Sequence, residues 1–311
     1  MTKGAYTSLD ELIRLKFQGQ GFSFLPRQPI HSLLAGRHAS RLRGRGLNFE
    51  EIRIYQPGDD IRSIDWKVTA RTRKPHCRVY TEERDRPALI VVDQRINMFF
   101  GSERAMKSVT AAETAALAAW RVVGVGDRPG AVIFNDSEIV EIRPHRSQQR
   151  VLQILNSVLQ QNQALRADST VRSCPEQLNK ALERVVRLAT HDYLIVLISD
   201  LDGADEQTTR RLLTRLAQHN DVLVSLIYDP LETALPARGH LVISDGELQL
   251  EFDSGDAMLR KRFAEVFSAR LERARQLLQR RQIPVLPLHT GLPVAEQVRK
   301  LLGYAAGTRR V

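Results

Sequence analysis

Apolar and polar positions along this chain fall into two regimes that divide near Pro87. Before that point the apolar runs are short. Ser8 followed by Glu11 makes a capping box ahead of Leu9, Leu12, Ile13 and Leu15, so a short amphipathic helix opens the chain. Gly and Pro punctuation over residues 17–46 predicts irregular structure. "EIRIY" alternates, with Ile52 and Ile54 on one face and Arg53 and Tyr55 on the other, and "CRVYTEE" reads as a second strand. Residues 1–86 are therefore expected to form a small, mostly β or irregular module.

After Pro87 the pattern changes. "ALIVVD" is a continuous apolar run ending in Asp93, as in a strand buried on both faces. Glu103–Val123 has helical spacing, with Val109, Ala112, Ala116, Ala119 and Val123 on one stripe. "GAVIFN" is the next strand and "EIVEIR" its neighbour, followed by helices over Gln148–Gln161 and Pro175–Leu188. "YLIVLISD" ends in Asp200, "DEQTTRRLLTRLAQH" is helical, and "DVLVSLIYD" is a strand. A hairpin around Asp245-Gly246, a helix over Asp256–Arg281, the strand "PVLPL" and a final helix complete residues 87–311. Alternating strands and helices predict an α/β fold with a doubly wound, mainly parallel sheet. In such a sheet, sites form beyond the carboxyl ends of the strands, where strand order reverses.

Composition leaves this picture standing, at 42% apolar and 26% charged residues. No apolar run approaches the roughly 18 residues of a membrane span, so none is expected. The opening MTKGAYTSLDELIRLKF mixes acids and bases without an apolar core, which argues against a signal peptide. Cys77 and Cys174 are isolated and lack metal or redox spacing, so a reduced, cytoplasmic protein is expected. The net charge of +10 is more informative, because "GRHASRLRGRG" carries Arg37, Arg41, Arg43 and Arg45 without an acid. This basic patch could grip phosphates, dock an acidic protein face or simply be solvated. With no interleaved aromatic platform, nucleic acid is not the expected partner. A nucleic-acid or anionic-surface module remains the alternative function.

Most catalytic signatures are missing. "GVGDRPG" resembles a glycine fingerprint, but it follows a helix and precedes a strand, so it reads as a helix stop plus turn. There is no Walker-type phosphate loop, no G-x-S-x-G elbow and no H-E-x-x-H pair. Ser102 reads as a helix cap, and His289 as structural. Two candidates remain. Asp93 and Asp200 each end an apolar strand, where they could serve as loop starters and helix caps, or converge as oxygen ligands for a hard cation. "YQPGDDIRSIDW" sets Asp59, Asp60 and Asp65 between Tyr55 and Trp66.

The stretch from Gly36 to Glu83, with R-x-Y-x-P-G-D-D-x-R-x-I-D-W and T-A-R-T intact, resembles the DUF58 family of bacterial proteins. The resemblance implies a von Willebrand factor A-like domain after the signature. It also implies a non-catalytic protein-interaction adaptor, not an enzyme. Its partners would be a MoxR-type AAA+ ATPase and a client complex, joined in chaperone-like assembly or activation. Related A-domains hold a divalent ion with a D-x-S-x-S loop. Here that loop reads Asp93-Gln94-Arg95-Ile96-Asn97, and only Ser173 stands near the second-loop threonine position. Asp93, Asn97 and Asp200 thus make a degenerate metal-ion adhesion site, with Asn97 offering a carbonyl oxygen. No cofactor is expected, save Mg²⁺ if that site still binds. Arg95 has no acceptor and keeps its charge. Either it replaces the metal, pairing with Asp93 and Asp200, or it points into solvent and the site is vestigial.

The signature itself reads as a bonded corner, with a partner-docking surface as the second reading and a carboxylate active site as the third. Pro57-Gly58 suits a turn, and Asp59 and Asp60 accept backbone N–H bonds around it. Arg53, Arg62 or Arg71 would pair with the carboxylates, and Trp66 would anchor the assembly in apolar surroundings.

Overall fold

A computed structural model describes residues 4–18, 47–57, 59–82, 85–167, 171–203, 205–233, 239–244, 249–253, 255–258, 260–262 and 283–302, with positions 235, 265 and 272. In chain order its elements are α1 (Leu9–Arg14), β1 (Leu47–Ile54), α2 (Trp66–Thr72), β2 (His76–Glu82), β3 (Pro87–Asp93), α3 (Lys107–Gly124), β4 (Arg128–Phe134) and β5 (Ile139–Ile142). Then follow α4 (Gln148–Ala164), α5 (Gln177–Leu188), β6 (Leu194–Ser199), α6 (Glu206–Ala217), β7 (Asp221–Tyr228) and α7 (Pro230–Thr233). The last are β8 (His240–Ser244), β9 (Gln249–Asp253), β10 (Val285–His289) and α8 (Val294–Leu302). The helix expected over Asp256–Arg281 and the turn at Asp245-Gly246 lie largely outside the described residues. The strands flanking that turn do pair antiparallel.

Among the described residues, six strands make the main sheet in the order β10-β7-β6-β3-β4-β5. All neighbours run parallel except β4 and β5. Chain order therefore reverses at β3, between β4 on one side and β6 on the other. This is the doubly wound arrangement that the alternating pattern predicts, and it accords with the von Willebrand factor A-like domain that the family resemblance implies. Side chains of β3 alternate between two buried layers. Ala88, Ile90 and Val92 join Leu12, Leu117, Ile154 and Val298 on one face, and Leu89 and Val91 join Leu182 and Leu213 on the other. Periodicity marks a single stripe on α3, yet Ala111, Ala112, Ala115, Ala116, Ala118 and Ala119 are all fully buried. The helix is sandwiched between the sheet and its helical neighbours, and the small side chains allow that close approach.

Two compact units divide the chain, Met1–Pro26 with Arg86–Val311, and Arg27–Asp85. The second unit ends at Asp85, and the opening helix groups with the α/β unit. Leu12 is fully buried in the α/β core, a contribution of about 1.5–3 kcal/mol for a leucine. Its carbonyl accepts from Trp120 Nε1 at 3.2 Å, and Tyr6 Oη donates to the Leu165 carbonyl at 2.7 Å. An amphipathic helix this short needs such a surface to persist. Its capping box is present, with Ser8 and Glu11 exchanging bonds. Gly126 at φ +92° turns the chain from α3 into β4, as the helix-stop reading of "GVGDRPG" requires.

Candidate functional site

Parallel pairing sets the ends of β3 and β6 side by side, with Val92 level with Ile198. Asp93 and Asp200 therefore meet at the carboxyl edge of the sheet, where strand order reverses. Both are buried, at 0% and 2% exposure. Arg95 turns back between them and is itself 1% exposed. Its backbone N and Nε donate to Asp93 Oδ1, both at 3.0 Å, and Nη2 donates to Asp93 Oδ2 at 2.7 Å. Nη2 also lies 3.7 Å from Asp200 Oδ1, while Nη1 donates to the carbonyls of Pro175 and Asp202 at 3.2 Å each. Of the two readings of Arg95, the geometry shows the inward pair network and not the solvent-facing side chain.

Residues that the pattern did not single out complete the cluster. Lys107, in the first turn of α3, donates to Asp200 Oδ2 at 2.8 Å and to Glu232 Oε1 at 2.9 Å. A cation there opposes the helix dipole, but the sequence pattern starts the helix at Glu103 and so hides that misfit. Ser199 Oγ donates to Asp93 Oδ2 at 2.7 Å. Asp136, in the turn after β4, accepts from the backbone N of Ile96 at 2.6 Å and of Cys174 at 2.7 Å, tying two loops together.

Burial works against the charge of Arg95, but Asp93 and then Asp200 hold its pKa above the ordinary value. Lys107 is raised likewise, burial opposing and Asp200 and Glu232 prevailing. Burial also opposes the Asp200 charge, yet Lys107 and Arg95 keep its carboxyl below the usual range. Asp93 goes the other way, raised by burial against the pull of Arg95. Arg95 and Ser199 both donate to it, which favours its charged form against that burial.

The expected metal ligands do not fit an ion. Asn97 turns its amide nitrogen to Asp200, 3.0 Å from each carboxylate oxygen, and its Oδ1 is buried without a hydrogen-bond partner among the described residues. A carboxylate repels a carbonyl oxygen, which fixes the amide that way round. The loop before α5 contributes the Pro175 carbonyl to Arg95 in place of a Ser173 hydroxyl. Among the described residues, no group of three or more His, Cys, Asp or Glu could hold a metal ion. Asp93, Asn97 and Asp200 come together, but around two side-chain cations.

The signature unit is built on β1 and β2, paired antiparallel with a bulge between Phe49 and Glu51. Arg53 grips Asp59 with two bonds of 2.7 and 2.8 Å, and Gln56 N donates to Asp59 at 2.8 Å. Asp60 accepts from Arg62 N at 2.9 Å. Asp65 caps α2, accepting from Lys67 N at 3.0 Å and Val68 N at 3.1 Å. Its cation is Arg78, with Nε at 2.8 Å, and not Arg62 or Arg71. Bonds from Arg53 and Arg78 hold the Asp59 and Asp65 carboxyls below the ordinary range. Sequence reasoning missed α2, because Asp65-Trp66 reads as the end of a turn and not as a cap plus first helical residue. Trp66 is a correction of another kind. It is 67% exposed, so it does not sit in the apolar surroundings expected of an anchor. Tyr55 is half-buried, its backbone N donating to the Pro75 carbonyl at 2.9 Å. Gly58 and the basic patch of Arg37, Arg41, Arg43 and Arg45 lie outside the described residues.

If these bonds make the corner, Asp65→Ala frees the start of α2 and strips Arg78 of its partner. Limited proteolysis should then cut within residues 66–78 faster than in the wild type. An unchanged cleavage pattern with partner binding lost would favour docking over structure.

Among the described residues, no helix is long and apolar enough to cross a membrane. Comparison with known proteins places these features in context. Solved structures similar to this chain include the SpRpn10 VWA domain, at 12% identity and a TM-score of 0.38, covering 73% of this chain and 100% of that one. Another is the conserved hypothetical protein BatB from Bacteroides thetaiotaomicron, at 9% identity and a TM-score of 0.35, covering 69% and 97%. Uncharacterized protein Rv1480 of Mycobacterium tuberculosis and uncharacterized protein Mb1516 of Mycobacterium bovis are each 30% identical over 289 residues, spanning 91% of this chain and 86% of theirs. Residues 51–274 match the family described as "Protein of unknown function DUF58". On that match, and on kinship along nearly its whole length, the chain belongs to the DUF58 family.

Proposed function

We propose that this chain is a non-catalytic adaptor that binds other proteins, with a MoxR-type AAA+ ATPase as one partner and a client complex as the other. The ATPase supplies the energy, and the adaptor presents the surface on which a client is assembled or activated. The observation that carries this reading is the surface of the signature unit. Ile54, Ile61 and Trp66 are 55%, 63% and 67% exposed beside a frame of arginine-bonded aspartates. Large apolar side chains held out on a rigid frame are the anatomy of a binding hot spot. The carboxylates beside them support the non-catalytic part. Asp59 and Asp65 are ionised and taken up by donors, so neither is placed to move a proton. Two free cysteines, Cys77 and Cys174, accord with the reducing cytoplasm.

Binding to the ATPase loaded with a non-hydrolysable ATP analogue tests the proposal. Ile61→Ser combined with Trp66→Ala is expected to weaken capture by roughly tenfold or more, with an unchanged melting midpoint. Full-strength capture by that variant defeats the docking surface. Turnover of a small metabolite, abolished by one Asp→Ala change, defeats the non-catalytic reading.

A further inference from the structure

Three loops converge at the carboxyl edge of the sheet, and one side chain touches them all. Arg95 lies in the loop after β3, and its Nη1 reaches Pro175 in the loop before α5 and Asp202 in the loop after β6. A guanidinium has five N–H donors. Here Nε and one Nη2 hydrogen serve Asp93, both Nη1 hydrogens serve carbonyls, and Asp200 stands on the remaining side. Lys107 then closes Asp200 from the helix side and links it to α7 through Glu232. The two cations together carry the charge of one divalent ion. Neither Asp93 nor Asp200 presents an oxygen free of a donor, because Ser199 and Asn97 take up what Arg95 and Lys107 leave. An incoming ion would have to displace a covalently tethered charge of like sign.

We propose that Arg95 and Lys107 stand in the place of a divalent cation, so that this loop edge is assembled permanently and without metal. A bound ion can be exchanged or chelated, and can accept a carboxylate from a partner as its last ligand. Side-chain cations tethered from within can do neither. The edge is thus a fixed surface, indifferent to divalent ions, and partners meet it without an ion bridge.

Two measurements on the full chain test this. Calorimetric titration of the wild type with Mn²⁺ or Mg²⁺ should give no binding heat, and the melting midpoint should be the same in chelator and in excess metal. Micromolar uptake that disappears in Asp93→Ala overturns the proposal. The second measurement empties the site by combining Arg95→Ser, Asn97→Ser and Lys107→Met. The triple variant should melt below the wild type in chelator and regain part of the loss when Mn²⁺ is added. A wild-type midpoint in chelator shows that the cations hold nothing together. A lowered midpoint that Mn²⁺ leaves unmoved shows that the place they fill is not an ion's.

Discussion

Replacing Arg95 by Ala is expected to lower the stability of the α/β unit by about 3–5 kcal/mol, because removing one partner of a buried ion pair leaves the other charged and unpaired. For a chain of this size that corresponds to a fall on the order of 10 °C in the melting midpoint. The loss exceeds that of a surface pair because Asp93 and Asp200 are both sealed from water and Arg95 lies against each. Asp93→Asn on top of Arg95→Met should recover much of it, since apolar and neutral groups then replace both halves of the pair. Scanning calorimetry of the two variants at neutral pH decides the matter. A loss below about 1 kcal/mol for Arg95→Ala, the range of an exposed ion pair, would mean that the guanidinium does not compensate the buried charges.

Asp229→Asn is the second large effect, and it carries a pH signature. Asp229 follows β7 and is fully buried. One oxygen accepts from Leu231 N at 2.9 Å and Ser102 Oγ at 2.5 Å, the other from Ser102 N at 2.8 Å and Thr290 Oγ1. Ser102 thus serves this carboxylate and does not cap α3, whose N-cap is Met106. An amide has only one oxygen, so whichever way Asn points, one backbone N–H faces an NH₂ group. An unsatisfied buried group of that kind costs about 1–3 kcal/mol. Burial raises the Asp229 carboxyl, but bonds from Ser102 and Thr290 outweigh it, so its pKa lies below the model-peptide value of 3.8. A depressed pKa means that its contribution is complete well above pH 3.8 and is lost as pH falls through that value and on through the folded pKa. Urea titrations should therefore show wild type and Asp229→Asn converging in acid and diverging toward neutrality. A gap that stays constant down to acid pH would separate the defect from the charge.

How much of this was readable in advance depended on distance along the chain. The capping box of Ser8 and Glu11 and the buried strands ending in Asp93 and Asp200 are local patterns, while the arginine two residues after Asp93 was legible only as either paired inward or facing solvent. The partners that complete them are not. Lys107 and Glu232 reach Asp200 only because α3 and α7 return to the same sheet edge, and periodicity carries no record of that return. Asp136 bridges Ile96 and Cys174 through backbone bonds, which leave no trace in residue type. Arg78 displaced Arg62 and Arg71 as the partner of Asp65 because antiparallel pairing, not proximity in sequence, sets what stands beside that cap. Trp66 was misplaced by its chemistry: a tryptophan reads as buried, and at the start of α2 it is exposed.

The membership of α1 in the α/β unit makes the signature region, in chain order, an insertion within the sequence of a single fold. Removing everything before residue 87 would therefore not free an intact domain; it would uncover the hydrophobic seat of Leu12 beside Trp120. The same arrangement constrains synthesis, since α1 leaves the ribosome before α3 and α4, on which it docks. Until then its apolar stripe is open to chaperones or to another nascent chain.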